Sequence, residues 1–399
     1  MPVVGSIRER FARERPLADT RVAACLHVTA ETACLARTLV AGGAEVALCA
    51  ANPLSTQDDV AAALAAEGVE VRARRGEDVD AYAAHVEVLA ASRPQIALDD
   101  GADLLIAIHA AGDEAVEGMA GATEETTTGL LRLRRLEADG GLRFPVLALN
   151  EALAERTLND RYGTGQSALD GILRAANLLL AGHTLVLLGY GYAGRGIAER
   201  ARGAGAAVIV CEVDPLRALE ARMAGYEVMP ALAAAERGDL FVTVTGSRSV
   251  LRREHFERMK DGAVLANAGH FDVEIDLDDL RAAAGDVRPV LPLVEQFALD
   301  GRRLNLLASG RVVNLAAGEG HPAAVMDVSF ALQALSAEHL AGEAGELAPR
   351  VLDVPRAIDD EVARLKLAAF DVEIDALTEE QRRYLAGWRA EPAAQSGSE

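Results

Sequence analysis

Residues 184–214 read TLVLLGYGYAGRGIAERARGAGAAVIVCEVD, and this stretch decides the fold of the chain. An apolar run typical of a strand leads into Gly189, Gly191 and Gly194, which form the pattern GxGxxG. A helical segment follows, and a second apolar run then ends at Glu212. A strand, a glycine turn, a helix and a strand ending in an acid are typical of a unit that binds a dinucleotide.

Each position in this stretch has a physical role. Gly189 permits the tight turn, Gly191 lets the backbone approach a pyrophosphate, and Gly194 allows the helix to pack closely on the strand. The helix N-terminus offers free N–H groups and a positive dipole end to the phosphates. Glu212 is placed to bind a ribose diol and to repel a 2′-phosphate, so we expect NAD as the cofactor. The nearby Arg217 means that NADP is not excluded outright. The pattern does not indicate the reaction.

The composition is that of a globular protein with two or three domains. The chain has 399 residues, 50% of them hydrophobic, and a formal net charge of −21. This charge argues against nucleic acid and anionic membranes as partners. The sequence contains no apolar run long enough to span a membrane and no signal peptide, and its four cysteines lack metal-ligand spacing. We therefore expect a cytoplasmic protein without a metal site.

Apolar runs of strand type alternate with helical patterns on both sides of the glycine turn. Before the turn, such runs include residues 21–28 and 146–150, and after it they include residues 240–246 and 263–270. This alternation predicts an α/β protein with two doubly wound parallel-sheet (Rossmann-like) domains and a short C-terminal helical tail.

The same patterns predict the division of the chain. Residues 1–20 should form a charged helical arm, and residues 393–399 should be disordered. We expect a substrate-binding domain in residues 1–160 and 322–352, an NAD-binding domain in 161–321, and a tail in 353–399.

Polar residues follow several of the predicted strands. Ligands of open α/β sheets bind at the carboxyl ends of the strands, so these side chains are candidates for chemistry. Each alone has an ordinary alternative, such as a packed histidine, a turn or a helix cap. Their combination near a dinucleotide site favours a catalytic cleft made of His27, Asp100, Glu125, Asn150, His270 and Asn314.

Over nearly its full length the chain resembles the S-adenosylhomocysteine hydrolase family. The matching blocks are CLHVTAETA, NPLSTQDD, LDDGADL, EETTTG, YGTGQS, GYGYAGRG, ANAGHFDVEID and NLAAGEGHP. The tail LTEEQRRYLAGW is similar to that of shorter archaeal and thermophilic members and lacks the extension that reaches a neighbouring subunit. The resemblance implies a dimer or tetramer, for which residues 324–335 are one candidate contact and an internal core helix the alternative.

The resemblance implies a redox-neutral reaction on an adenine nucleoside. Bound NAD oxidises the 3′-hydroxyl, a base removes the 4′ proton, the 5′ substituent leaves, and in the hydrolase water adds before re-reduction. By position, Asp100 is the base, and His27 and His270 serve the leaving group and the water.

The resemblance also assigns binding positions. Glu125 and Thr126 would hold the sugar hydroxyls, and the remaining substrate positions are Thr29, Glu31, Asn150 and His321. A glutamate that accepts from the adenine amino group argues for adenine over hypoxanthine. Positions that match cofactor contacts, besides the three glycines of the turn, are Thr126, Thr127, Thr128, Tyr192, Ala193, Glu212, Arg217, Thr245, Asn267, Ala268, Gly269, His270 and Asn314.

The chain departs from the family at two positions that grip the 3′-hydroxyl. The family lysine five residues after Asn150 is Glu155, and the aspartate four residues further on is Asn159. The change inverts a charge and removes a carboxylate, which compositional bias alone does not explain. The neighbouring Arg156 points about 100° away on a helix and need not replace the lysine. Glu155 could itself act as the base, with Asn159 on the oxygen.

Three functions are compatible with this departure. We favour a divergent paralogue that carries out oxidation, elimination and re-reduction without adding water, a nucleoside dehydratase of nucleoside-antibiotic biosynthesis, as in the conversion of psicofuranine to decoyinine. The alternative is a working S-adenosyl-L-homocysteine hydrolase. A silent binding protein is the third, against which the retention of His27, Asp100, Glu125 and His270 argues.

Overall fold

Two β-sheets with helices packed on both faces form the frame of the structure. The computed structural model describes residues 1–387, so our expectation for residues 393–399 lies outside the described part. The strands are β1 (Arg21–Cys25), β2 (Glu45–Cys49), β3 (Glu70–Arg72), β4 (Ile96–Asp99), β5 (Gly121–Glu124), β6 (Val146–Ala148), β7 (Thr184–Leu188), β8 (Ala207–Cys211), β9 (Glu227–Val228), β10 (Leu240–Thr243), β11 (Val264–Asn267), β12 (Asp286–Leu291), β13 (Val294–Leu299), β14 (Arg302–Leu307) and β15 (Val351–Asp353).

The helices connect these strands and cover the sheets. They are α1 (Pro2–Glu14), α2 (Ala30–Ala41), α3 (Asp58–Ala66), α4 (Val79–Ala91), α5 (Asp103–Ala110), α6 (Asp113–Val116), α7 (Thr127–Ala138), α8 (Gly165–Ala176), α9 (Tyr192–Gly203), α10 (Pro215–Met223), α11 (Ala231–Ala235), α12 (Arg253–Phe256), α13 (Leu277–Ala283), α14 (Val313–Ala316), α15 (Ala323–Gly342), α16 (Arg356–Ala369) and α17 (Glu379–Ala386). Short 3₁₀ turns span Leu149–Glu151 and Ala308–Gly310, and a π-helical segment spans Glu155–Thr164.

The first sheet is parallel throughout, in the order β15-β6-β5-β4-β1-β2-β3. Alternate residues of β1 enter two cores: Val22 and Ala24 pack with α1, α2 and α15, and Ala23 and Cys25 pack with α4 and α5. Burial on both faces explains why the strands read as continuous apolar runs. The chain reverses its direction of winding between β1 and β4, which opens a crevice at their carboxyl ends.

The second sheet contains the glycine turn. Its order is β12-β13-β14-β11-β10-β7-β8-β9, and its direction of winding reverses between β7 and β10. The strands from β14 to β9 are parallel, whereas β13 runs antiparallel to β12 and β14. The sequence patterns did not predict this antiparallel edge, whose turns are too short for crossover helices. The two doubly wound domains confirm the predicted fold class.

The helix α1 is part of the core and differs from the charged arm that we expected. Val3, Val4, Ile7 and Phe11 lie on one face of the helix and are buried against α2 and α15. Its first turn is anchored by Asp327 of α15, whose carboxylate accepts hydrogen bonds from the backbone N–H groups of Val3 and Val4. The charged residues of α1 therefore form only its outer face.

The long helix α15 lies inside the first domain. Its residues from Asp327 to Ala337 are buried, including Phe330 and Leu332. This helix is therefore a core helix, which corrects its candidacy as a subunit contact; the dimer or tetramer itself stays a prediction.

The end of the first domain differs from the boundary that we expected at residue 353. β15 pairs in parallel with β6, and α16 packs on α15 and α1. Lys366 of α16 donates to Asp327 Oδ2 at 2.9 Å in the interior. The first domain therefore extends as far as α16, because β15 is a strand of its sheet and α16 packs on its core helix α15.

Candidate functional site

The turn after β7 has the geometry of a dinucleotide cradle. Gly189 has φ of 104°, and a Cβ there would lie 2.6 Å from the Val244 carbonyl oxygen. A Cβ on Gly194 would overlap the Gly189 carbonyl oxygen. A Cβ on Gly191 meets nothing nearer than Arg217 Nη1 at 3.9 Å. Two glycines are thus required by the fold, and the third leaves open space at the N-terminus of α9, where Tyr192 and Ala193 also lie.

Glu212 follows β8 directly beside this turn. Its Oε2 accepts from Tyr190 N–H at 2.7 Å, and its Oε1 accepts from Val213 N–H at 2.7 Å. The carboxylate is thereby fixed at the edge of the cradle, where a ribose diol of a bound dinucleotide would lie. Arg217 lies beside the turn, with its Nε 4.0 Å from Asp214 Oδ2.

Asn314 offers a second test of whether the second domain fits the cofactor. The residue is 7% exposed and donates from Nδ2 to Ser167 Oγ at 3.2 Å. Its Oδ1 is buried without a hydrogen-bond partner among residues 1–387. An orphaned acceptor of this kind is expected where an amide of a ligand completes the hydrogen bonding. The glycine cradle, Glu212 and Asn314 together fit NAD.

The side chains of Asn267 and Thr245 form hydrogen bonds with other residues of the protein. Asn267 is fully buried, accepts from Thr243 Oγ1 and Gly269 N–H, and donates to the carbonyls of Gly269, Phe271 and Gly310. It therefore shapes the loop of Ala268, Gly269 and His270, and its side chain has no free hydrogen-bonding group for a cofactor. Thr245 donates from N–H and Oγ1 to Glu274, a buried carboxylate that no sequence pattern had indicated.

His27 and Asp100 meet at the crevice of the first sheet. His27 lies two residues beyond β1 and Asp100 directly follows β4. His27 Nε2 is 3.4 Å from Asp100 Oδ2, and His27 Nδ1 is 2.7 Å from Ser55 Oγ. Burial lowers the pKa of His27 more than Asp100 raises it, so the imidazole is neutral at pH 7. His270 lies across the crevice, with Nε2 3.6 Å from where a Gly101 Cβ would be.

Two fully buried carboxylates support the loops that follow β4 and β5. Asp99 accepts from the backbone N–H groups of Asp100 and Leu105, and burial raises its pKa to about 7. Glu124 Oε1 accepts from Gly101 N–H and from both the N–H and Oγ1 of Thr126. These acids fix the positions of their sequence neighbours Asp100 and Glu125, a role that their place in a turn or helix cap did not reveal.

Glu125 faces the centre of the crevice. Its Oε1 is buried without a hydrogen-bond partner among the described residues, and burial together with Asp100 and Glu155 raises its pKa well above the ordinary value. Gln333 of α15 lies next to it and accepts from Thr123 Oγ1 at 2.6 Å. The apolar pattern of α15 had predicted only a core or contact helix, and its polar residues at 329, 333 and 336 were the signal for this role.

Glu155 lies on the π-helical segment and is 2% exposed. Ser329 Oγ of α15 lies 2.7 and 2.6 Å from its two carboxylate oxygens. Asn159 Nδ2 donates to Glu155 Oε1 and lies 2.8 Å from Ser329 Oγ, while Asn159 Oδ1 is buried without a partner in the described part. Burial, reinforced by Asp160 and Asp100, raises the pKa of Glu155 to about 8.

Arg156 lies outside this cluster. Its Nη2 is 3.3 Å from Glu151 Oε1, and its guanidinium lies over the Tyr192 ring at 5.7 Å. The side chain therefore points toward the second domain and does not occupy the place of a lysine at position 155.

The residues predicted to bind the purine lie on two separate segments, the start of α2 and the loop that precedes α15. Thr29 caps α2 and accepts from Thr32 N–H at 3.5 Å, and Glu31 lies half-buried on the first turn of this helix. His321 Nε2 is 3.2 Å from Thr164 Oγ1, and burial with nearby His27 lowers the pKa of His321 to about 4. His321 thus offers a neutral imidazole close to His27, and Thr29 and Glu31 follow His27 at the start of α2.

The first turn of α7 lies on the other side of the crevice. Thr126 accepts from Gly129 N–H at 2.8 Å as the helix cap, and Thr127 Oγ1 donates to Asn150 Oδ1 at 2.8 Å. Thr128 is half-buried on the same turn. The structure thus brings the predicted catalytic residues together in one crevice, and the cofactor positions divide between this turn and the second domain.

Neither a metal centre nor a membrane span is found in the part of the chain that the structure describes. Residues 1–387 contain no group of three His, Cys, Asp or Glu side chains arranged to hold a metal ion. Over the same range, every helix is too short or too polar to traverse a bilayer.

Comparisons with known proteins agree with this geometry. Residues 1–115 match the model for S-adenosyl-L-homocysteine hydrolase, and residues 160–320 match that for the NAD-binding domain of the same enzyme. An adenosylhomocysteinase of Aquifex aeolicus is 56% identical over 97% of this chain and 93% of its own length. An S-inosyl-L-homocysteine hydrolase of Methanopyrus kandleri is 54% identical over 97% and 92%. An adenosylhomocysteinase of Thermococcus kodakarensis is 53% identical over 97% and 92%. The chain therefore belongs to the S-adenosyl-L-homocysteine hydrolase family, and its second domain is the NAD-binding domain of that family.

Proposed function

We propose that this enzyme is a hydrolase that cleaves S-adenosyl-L-homocysteine into adenosine and homocysteine by oxidation, elimination, water addition and reduction. The observation that carries the proposal is the pair of His27 and Asp100, 3.4 Å apart, beside Glu125 and facing His270. The names of the relatives favour a hydrolase over the dehydratase that the sequence led us to prefer.

The cofactor and the protein divide the chemistry. NAD, held by the glycine cradle, Glu212 and Asn314, supplies the removal of a hydride from a sugar carbon and its return. Once that carbon is a ketone, the adjacent C–H is acidic, and Asp100 is placed to take its proton. Neutral His27 at 3.4 Å can then receive the proton and give it to the leaving group. His270, on the opposite side, is available for the water.

Two acceptors without partners are available in the crevice for sugar hydroxyls. Glu125 Oε1 and Asn159 Oδ1 are both buried without partners among the described residues. A buried acceptor without a partner costs about 1–3 kcal/mol, which a substrate hydroxyl would relieve. The two acceptors thus support a substrate that presents sugar hydroxyls to this crevice.

The dehydratase remains a second candidate because of Glu155. In place of the lysine implied by the family resemblance, the site holds a carboxyl group bound by Ser329 and Asn159. A group of opposite charge near the reacting hydroxyl changes how the transition state is positioned. With a terminal hydroxyl as the leaving group and no water added, the same steps would release water and leave an exocyclic alkene.

The purine of the substrate is the second point to decide, and the candidates are adenine and hypoxanthine. Glu31 can accept from the amino group of adenine, whereas hypoxanthine presents a carbonyl oxygen to the same place. This favours adenine, although the Methanopyrus kandleri relative is named for the inosyl compound.

One experiment separates these candidates. The purified enzyme is incubated with S-adenosylhomocysteine, S-inosylhomocysteine or adenine nucleosides with a free terminal hydroxyl, and the products are followed by thiol release and mass spectrometry. We expect thiol release from S-adenosylhomocysteine, which Glu31→Gln should slow and Arg37→Gln, on the outer face of α2, should not. Loss of one water from a nucleoside without thiol release would instead establish the dehydratase. In that case Glu155→Lys combined with Asn159→Asp should restore hydrolysis.

A further inference from the structure

Ser55 contacts the ring of His27 from the loop between β2 and α3. Its Oγ donates to the carbonyl oxygen of Asn52 at 2.9 Å and lies 2.7 Å from His27 Nδ1. A hydroxyl has one hydrogen, and a carbonyl oxygen can only accept. With the Ser55 hydrogen on the Asn52 carbonyl, a hydrogen on His27 Nδ1 completes the 2.7 Å contact, and this is the arrangement that satisfies both contacts of the Ser55 Oγ at once.

We propose that Ser55 is a positioning residue that holds neutral His27 in the Nδ1–H tautomer, with the lone pair of Nε2 directed at Asp100. His27 Nε2 is 3.4 Å from Asp100 Oδ2, at the crevice where the first sheet reverses. In a neutral histidine, the hydrogen bond that one ring nitrogen makes determines whether the other nitrogen carries the hydrogen. In the opposite tautomer Nε2 would already hold a hydrogen and could not accept one.

The loop that carries Ser55 is fastened to the segment that carries His27. Gln57 N–H donates to the Val28 carbonyl at 2.8 Å, and Gln57 Oε1 accepts from Ala30 N–H at 3.2 Å. These contacts lie on either side of Thr29 and close to both residues of the pair. The distance between Ser55 and His27 is therefore fixed by the backbone, and the ring cannot turn without breaking a hydrogen bond.

The tautomer decides which way a proton can move, and this step rests on the proposed function. Asp100 takes the proton from the sugar carbon, and the bonding electrons stay on that carbon next to the ketone. Asp100 passes the proton to His27 Nε2, since only a lone pair there can receive it. When the bond from the 5′ carbon to the leaving group breaks, the electron pair goes to the leaving atom, which takes the proton from Nε2. Each step conserves protons and electrons.

The tautomer can be observed without any reaction. Long-range proton–nitrogen spectra of the intact enzyme labelled with ¹⁵N-histidine distinguish protonated from unprotonated ring nitrogens, and a His27→Asn variant assigns the signals. We expect Nδ1 of His27 to be protonated and Nε2 to be bare. Ser55→Ala should shift His27 toward the other tautomer or a mixture, and Ser55→Thr should retain the wild-type signals. A bare Nδ1 in the wild type, or signals unchanged in Ser55→Ala, would overturn the proposal.

A matched control exists in the same domain. Ser92 Oγ also donates to the carbonyl three residues before it, that of Leu89 at 2.7 Å, but at the end of α4 and away from the crevice. Ser92→Ala therefore removes the same kind of bond and should leave the His27 signals unchanged. A shift in Ser92→Ala as large as in Ser55→Ala would mean that general loosening moves the ring, which would also overturn the proposal.

The kinetic consequence is confined to one half of the reaction. Ser55→Ala should oxidise the nucleoside at the wild-type rate, because His27 takes no part in that step, but should release the leaving group about 10- to 100-fold more slowly. Equal slowing of both steps would count against the assignment. If no nucleoside reacts at all, the proposed function fails, while the tautomer and its dependence on Ser55 are still decided by the spectra.

Discussion

His27 Nε2 lies 3.4 Å from Asp100 Oδ2, and the two residues follow β1 and β4, the strands between which the first sheet reverses its winding. Both side chains are largely buried, at 20% and 11% exposure. The pair is the point at which the fold, through strand order alone, brings a neutral base next to a carboxylate. Changes at this crevice should therefore affect separate steps of the reaction.

Asp100→Asn should uncouple oxidation from elimination. The amide keeps the shape of the carboxyl group but cannot take a proton, so the sugar hydroxyl should still be oxidised while the 4′ hydrogen stays in place. Cofactor absorbance measures the first step, and deuterium uptake from heavy water with leaving-group release measures the second. Asp113→Asn, at a fully exposed residue paired with Arg143, is the matched control. Full turnover by Asp100→Asn would remove Asp100 from the mechanism.

Glu155→Gln should slow the oxidation step. If Glu155 accepts the hydroxyl proton, its loss should cost about 10²- to 10⁴-fold, the usual range for a positioned base. In the wild type the rate should rise with pH through about 8, because Glu155 accepts a proton only when ionised. Glu151→Gln, four residues earlier and paired with Arg134 at the surface, should keep the wild-type rate and profile. An unchanged oxidation rate in Glu155→Gln would exclude Glu155 as the base.

Glu155→Gln should also change how stability depends on pH. The pKa of Glu155 is raised from 4.5 to about 8 in the folded protein, so the folded state favours the protonated form. The protonated carboxyl group stabilises the folded state fully below pH 4.5, and this stabilisation is lost as the pH rises from 4.5 through 8. At 1.36 kcal/mol per pKa unit, the loss is at most about 5 kcal/mol. Gln cannot ionise, so the free energy of unfolding of the variant, relative to that of the wild type, should be higher at pH 9 than at pH 5. Denaturant unfolding at both values is the measurement, and a constant difference would contradict the prediction.

Gly191→Ala and Gly194→Ala should fail in different ways. A Cβ at position 191 meets only Arg217 Nη1 at 3.9 Å, so Gly191→Ala should fold normally but bind NAD poorly, because the methyl group fills the pyrophosphate space. A Cβ at position 194 overlaps the Gly189 carbonyl oxygen, so Gly194→Ala should unfold at a lower temperature even without cofactor. Thermal unfolding and NAD titration of both variants are the measurements. Wild-type NAD affinity in Gly191→Ala would argue against the cradle.

Local sequence patterns were sufficient for the frame of the protein. Strand-like runs that alternate with helices fix a parallel sheet, because parallel strands need crossovers and both faces are then buried. The glycine turn could be predicted because its main requirements are local: Gly189 has a positive φ of 104°, and a Cβ on Gly194 would overlap the carbonyl oxygen of Gly189, five residues earlier. The antiparallel strands β12 to β14 were missed because nothing in a short strand run itself states the direction of its partner.

The sequence by itself determined which residues lie at the carboxyl ends of strands, because strand periodicity and strand ends are local properties of the chain. Only the tertiary structure decided which groups face one another. Ser55 reaches His27 from another loop, and Ser329 of α15 binds Glu155 across 174 positions of sequence. These contacts, the burial that sets the pKa of each group, and the atoms left without partners arise from packing between distant segments, and periodicity carries no information about them.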